Sequence, residues 1–355
     1  MMLPRVSLKS SKITPPSASL DSTIEGAIGV WDNNDHVALV IYNMNEDHAI
    51  CKGVYVWDGN QWEYLNYIDI SSETSTSLTD RDGNVYSIHT YGTAGTWMTQ
   101  NLRTTTDPCG KKLENNHTDG DYTKAVFAYP KLNSTPYISG KPDYWQEKYG
   151  LLYSWAAATH RKGRHDGKAN PIDEGEGLST SNNQNNTSSK ELKGMQGICP
   201  KGWHIPSDKE WNDLKEELIA NAALYSDESN ASITDQSWRI KQNGYDGKTY
   251  GSVMKTPEKV LVNTSGGTHP IYGQLYGSSK TDGFGFNVFM TGRVDPDQNR
   301  IRDYGRDATF WSHSAAPNAE AWGFDIYYEK SYQVGSYRDT DDRRNMFSIR
   351  CKKDD

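Results

Sequence analysis

The clearest hydrophobic pattern along the chain begins at Ser207. Ser207-Asp-Lys-Glu210 has the form of a capping box, and Trp211, Leu214, Leu218 and Ile219 then recur on one face, which predicts an amphipathic helix. A shorter helix is predicted at Tyr149 to Thr159, where Tyr153, Ala156 and Ala157 fall at helical spacing. Elsewhere the period is two. Phe284, Phe286, Val288 and Met290 alternate with Gly285, Asn287 and Phe289, and Trp322, Phe324 and Ile326 alternate with Gly323, Asp325 and Tyr327, so both stretches predict half-buried strands. Near the start, Gly26 to Trp31, His36 to Met44 and Gly53 to Trp57 read as strands, with a hairpin turn at Asp58-Gly59-Asn60.

Polar stretches divide these elements. Leu3 to Ser19 is rich in Ser, Pro and Lys and reads as an extended lead-in, whereas the Ser/Thr-rich run from Ile70 to Asp80 has no apolar period. The expected organisation is a small β-rich unit over 1–70, a linker over 71–79 and a large domain over 80–355. Asp82 to Tyr86 and Thr96 to Leu102 would open that domain as a turn and two strands. Residues 175–189, which are nearly devoid of apolar side chains, predict a long exposed excursion. The fold class expected is α+β, with long loops and few helices.

Composition explains how so polar a chain can fold. Only 35% of its residues are hydrophobic and mean hydropathy is -0.83, yet it holds 22 Tyr, 11 Trp and 31 Gly. Tyrosine and tryptophan pack a flat face while presenting a polar edge, which suits short strands between long loops. Net charge is -8 and the basic residues are scattered among acids, so no stripe exists to neutralise a phosphate backbone and nucleic acid is not an expected partner. No apolar run reaches membrane-spanning length, and the first residues lack the apolar core of a signal peptide; a targeting segment for export is expected to lie outside this chain. The four cysteines, Cys51, Cys109, Cys199 and Cys351, have no CxxC spacing, which disfavours zinc and favours disulfides in an oxidising compartment, with three pairings open.

Cys199-Pro-Lys-Gly-Trp-His-Ile-Pro-Ser-Asp-Lys-Glu-Trp211 resembles the signature of the Fibrobacter succinogenes major paralogous domain family. Further blocks agree in order: Asp82 to Tyr86, Trp97 to Leu102, Tyr149 to Trp155, Phe310 to Ser314 and Phe347 to Cys351. The resemblance implies a C-type-lectin-like fold for residues 80–355 and a place among lipoproteins and secreted surface proteins of Bacteroidetes and their relatives. It also implies a Cys199 to Cys351 disulfide, since both cysteines sit in matching blocks. Closing so long a loop would remove about 4 to 5 kcal/mol of unfolded-state entropy. Whether Cys51 and Cys109 pair stays open. The N-terminal Gly53 to Trp62 stretch, with its Leu3-Pro4-Arg5 entry, is similar to modules of bacterial surface proteins and phage tail fibres.

Formylglycine-generating enzymes look similar around Trp203 to Pro206, but their catalytic pair of cysteines at short spacing has no counterpart here, so no enzyme is expected. His204 reads as a hydrogen-bonded structural residue, and His160 and His165, with Arg161, Lys162 and Arg164, as a solvated basic loop. Trp211-Asn212-Asp213 is similar to a calcium-lectin motif but falls inside the predicted helix. The acidic loops Asp295-Pro-Asp297 and Asp339 to Asp342 lack EF-hand spacing. No cofactor is therefore expected; a structural calcium ion is allowed by these oxygens but not predicted. The candidate ligand-binding surface is C-terminal: Tyr304, Arg306, Tyr327, Tyr332, Tyr337, Arg338 and Asp339 combine rigid contact area with hydrogen-bonding capacity. The competing reading is that some of these tyrosines shield sheet edges. In lectin-like proteins of phages and gut bacteria this end of the domain makes the ligand contacts. The resemblance thus implies a secreted or outer-membrane surface binding protein for a glycan or surface protein, with a phage or prophage receptor-binding protein as the alternative.

Overall fold

The computed structural model describes residues 3–9, 18–45, 50–67, 69–132, 136–160, 196–229, 250–258, 278–316, 320–327 and 336–354. Within them the chain is β-rich, with a few short helices. The N-terminal strands are β1 (Arg5–Val6), β2 (Val40–Asn43), β3 (Gly53–Trp57) and β4 (Trp62–Tyr64). Then come β5 (Ser72–Glu73), β6 (Ser77–Thr79), β7 (Val85–Thr90), β8 (Thr96–Met98), β9 (Glu114–Asn115), β10 (Val126–Ala128) and β11 (Leu152–Ser154). Helix α1 (Trp155–Thr159) precedes β12 (Trp203–His204), which leads into α2 (Asp208–Ala220), α3 (Ala222–Tyr225) and α4 (Tyr250–Met254). The chain ends on β13 (Thr291–Asp295), β14 (Arg300–Tyr304), β15 (Asp307–Ala316), β16 (Glu320–Tyr327), β17 (Ser336–Asp342), β18 (Met346–Phe347) and β19 (Lys352–Lys353).

These strands form three sheets. One is β1-β2-β3-β4; the second runs β17-β16-β15-β13-β18-β11-β10-β9 with β14 hydrogen-bonded to β13; the third is β12-β19-β8-β7-β6-β5. The last strand, β19, lies between β12 and β8, which carries Cys351 to Cys199. Their disulfide spans 5.9 Å between Cα atoms and sits in a buried hydrophobic cluster with Trp155, Trp203, Trp311 and Phe347. Cys51 and Cys109 form a second disulfide, which ties the N-terminal sheet to the rest of the chain. That sheet has its own core of Leu8, Leu20, Ile24, Ile41, Tyr55, Trp57 and Trp62.

Several sequence expectations hold. Helix α2 carries the full capping box: Ser207 N donates to Glu210 Oε2 at 2.8 Å, and Glu210 N donates back to Ser207 Oγ at 3.2 Å. Its apolar face lies on the largest sheet, with Trp211 stacked on Phe324 at 4.8 Å and tilted against Trp97 at 5.0 Å. Asp58 closes the β3–β4 turn by accepting from the backbone N–H groups of Asn60 and Gln61.

Others change. Gly26 to Trp31 forms no strand: Gly26 and Gly29 take positive φ, and Ile28 and Val30 are left 90% and 86% exposed. The helix expected from Tyr149 covers only Trp155–Thr159, because Leu152–Ser154 is buried on both faces between β10 and β18, a setting in which periodicity cannot separate strand from helix. Phe286, Val288 and Met290 are buried as predicted, but Asn287 at φ 53° breaks the run before it can pair as a strand. Strand β16 is present, though Ala321, Gly323 and Asp325 are buried as well as Trp322, Phe324 and Ile326, so it is covered on both faces rather than one. The stretch read as a linker carries β5 and β6; β5 pairs with β6, and β6 with β7. Short polar strands such as Ser72–Glu73 leave no apolar alternation to read. Residues 175–189 and the basic run 161–165 lie outside the described residues.

Candidate binding site

The expected C-terminal surface is organised by the β13–β14 hairpin. Alternation sends Val294 and Ile301 inward, into a cluster with Val126, Ala128, Leu152 and Met346. It sends Arg293, Asp295, Arg300 and Arg302 the other way. Arg293 is paired directly with Arg302, and Asp295 with Arg300. Like charges opposite one another in a ladder are destabilising, so carboxylates must sit among them. Asp303 Oδ2 lies 3.4 Å from Arg293 Nε and 3.5 Å from Arg302 Nε, and Asp295 Oδ2 lies 3.8 Å from Arg300 Nη2 and 3.6 Å from Arg302 Nε. Asp341, on β17, adds a contact of 3.8 Å to Arg293 Nη1.

The turn of backbone that allows this is specific. Gly292 and Asp303 both take positive φ, and a Cβ on Gly292 would fall 2.4 Å from Arg302 O, so only glycine fits. Burial, and then the neighbouring Arg293, lower the pKa of the Arg302 guanidinium. The ion pairs are long, and the Nε atoms of Arg300 and Arg302 have no hydrogen-bond partner among the described residues. Charge is balanced on this face by carboxylates from both strands of the hairpin and from β17.

The sequence-predicted residues divide into three groups. Arg306 belongs to the face: it is half exposed and reaches Asp303 at 3.7 Å and Asp307 at 3.9 Å. Burial, and then the charge of Asp303, push Asp307 up to about 7. Tyr304 is instead 7% exposed, clustered with Tyr149 and Phe289 and packed near Tyr144, so it supports the face from beneath. Tyr337, Arg338 and Asp339 lie on β17, opposite Asp325, Phe324 and Gly323, and Tyr327 ends β16; the side chains of all four, and the whole of Tyr332, are outside the described residues. The arginines Arg293, Arg300 and Arg302 were missed, although the alternation Arg300-Ile-Arg302 opposite Arg293-Val-Asp295 carried the signal. In the acidic loops, Asp297 and Asp342 are both paired with Arg344.

His204 is hydrogen-bonded, as expected, and to two carboxylates that the sequence did not pair with it. Nδ1 lies 2.7 Å from Asp354 Oδ1 and Nε2 lies 2.9 Å from Glu210 Oε1, with Lys352 Nζ 3.0 Å from the same Glu210 oxygen. Burial opposes charge on the ring, yet the bonds to Asp354 and Glu210 outweigh it and lift its pKa to about 9. His160 caps α1 at φ 53° with Nε2 3.1 Å from Cys109 Sγ. Cys51, Cys109 and His160 are the metal-like grouping among the described residues, but both sulfurs are tied in a disulfide and offer no thiolate.

Among the described residues no helix is long and apolar enough to cross a membrane. The family model described as the Fibrobacter succinogenes major domain matches residues 90–353. No curated protein and no solved structure matches the chain.

Proposed function

This chain belongs to the Fibrobacter succinogenes major domain family, and on that premise we propose that it is a secreted or surface-anchored bacterial binding protein, in which a C-type-lectin-like large domain recognises a glycan or a protein. The observation that carries this reading is the β13–β14 face, where Arg300 and Arg302 are held among aspartates in long ion pairs and Arg306 stands half exposed beside them. Arginine on a rigid strand is well suited to bind polar partners through several donors in a fixed plane. The non-catalytic reading is supported by the cysteines: a formylglycine-type oxidase needs a reactive thiol, and all four are in disulfides. The same disulfides favour an oxidising compartment outside the cytosol.

A phage or prophage receptor-binding protein is the second reading. It is favoured by the N-terminal sheet with its own core, which would serve as an assembly module. Binding to a combined glycan and surface-protein array, by the wild type beside Arg302→Ala and Arg306→Ala, tests the leading proposal. Loss of binding in either variant is expected; full binding by both removes the face as the site.

A further inference from the structure

A second concave surface lies on the large domain, lined by residues other than those of the C-terminal face. It is an open cleft of about 250 Å³ bounded by Asp82, Asn84, Arg103, Tyr129, Trp145 and Glu147. Two aromatic rings form one wall. Trp145 is fixed in orientation by its Nε1–H, which donates to Gly150 O at 2.9 Å, and Tyr129 meets it edge-on at 5.3 Å. Lys141 Nζ sits 4.7 Å from the centre of the Trp145 ring, a cation over an electron-rich face.

Arg103 also lines the cleft. Its side chain is 9% exposed, its guanidinium lies 4.5 Å from the centre of the Tyr86 ring, and its Nη2 donates to Val85 O at 3.0 Å. The same nitrogen is 3.3 Å from Glu147 Oε2, whose side chain is 75% exposed. Arg103 Nε has no hydrogen-bond partner among the described residues, although it is buried at the edge of the cleft. A buried donor left unmade is costly, and native structures seldom keep one without a reason. Asp82 lines the cleft too; burial raises its pKa, but hydrogen bonds from Thr106, Thr105 and Lys112 outweigh it and hold the carboxyl well below the usual range. The lining therefore carries two cations, Arg103 and Lys112, against two anions, Asp82 and Glu147.

We propose that this cleft is a subsite for one unit of an uncharged saccharide. A sugar ring has an apolar face of C–H groups, which the Trp145 and Tyr129 wall suits, and an edge of hydroxyls that both donate and accept. A guanidinium beside carboxylates answers such an edge, whereas a charged sugar would meet like charge as often as opposite charge. The inference concerns a surface separate from the β13–β14 face and can fail independently of it.

The test uses the full chain and an array of uncharged hexose and N-acetylhexosamine oligosaccharides beside sialylated and sulfated ones. Wild type, Glu147→Gln, Arg103→Gln and Glu25→Gln, an exposed control outside both surfaces, are compared. Glu147 is exposed, so its substitution leaves the core intact even if Arg103→Gln fails to fold. The expected result is binding to an uncharged glycan that falls about tenfold or more in Glu147→Gln, the effect of losing a hydrogen bond to a charged group, and is unchanged in Glu25→Gln. Binding only to charged glycans, no glycan binding at all, or uncharged-glycan binding kept in full by Glu147→Gln would overturn the proposal; the last of these would leave the C-terminal face standing.

Discussion

Two regions of the large domain use charge in opposite ways. At the corner where β12, the start of α2 and β19 meet, His204, Glu210, Lys352 and Asp354 form a short, closed network beside the Cys199–Cys351 disulfide. On the β13–β14 hairpin, Arg293, Arg300, Arg302 and Arg306 stand among aspartates at longer range and with greater exposure. The block most characteristic of the family thus builds a keystone, and the candidate binding face is made by residues outside any such block. A strong motif marks where the chain must close on itself, which need not be where it meets a ligand.

If the corner is a keystone, its loss should cost stability most. Joint replacement of Cys199 and Cys351 by Ala removes a cross-link across 152 residues, worth about 5 kcal/mol in the chain-entropy model. Guanidinium titration should show a fall of that order, and a fall below about 1 kcal/mol would mean the corner holds without it.

Next in size is His204→Gln, which leaves Lys352 as the cation beside the buried Glu210 and should cost about 3 kcal/mol. The sign of its pH dependence is set by a folded pKa raised from 6.5 to about 9. The histidine's contribution is therefore complete below pH 6.5 and is lost as pH rises through about 9. Thermal melts of the wild type should show this decline between those values, and the variant should flatten it; parallel pH profiles would show the ring to be uncharged in the fold.

The smallest effect expected is on the face. Arg306→Ala, at a half-exposed side chain with ion pairs of 3.7 and 3.9 Å, should change stability by less than about 0.5 kcal/mol. A large drop in its melting temperature would make the hairpin structural and erase the contrast with the corner.

Much of the corner was legible in the sequence. The capping box at Ser207, the apolar stripe from Trp211 and the family blocks around Cys199 and Cys351 are local or ordered signals, and each appears where it was expected. The face was legible only in part. Arg306, a candidate contact in the sequence, is half exposed, whereas Tyr304, identical in type to an exposed contact tyrosine, is buried by rings from distant parts of the chain. Asn287 shows the converse: an unbroken alternation lost its strand to one left-handed residue, whose amide donates to Lys280 O and Gly285 O.

By itself, then, the sequence determined the β-rich, loop-rich character of the chain, its family, the position of α2 and the pairing implied for Cys199 and Cys351. All of these rest on periodicity, capping or ordered blocks, which are written along the chain. Tertiary structure alone decided that Cys51 joins Cys109, that Glu210 and Asp354 both reach His204, and that Arg103 lines one cleft with Trp145 and Tyr129. These depend on which strands become neighbours across many tens of residues, and local spacing carries no record of contacts closed by sheet topology.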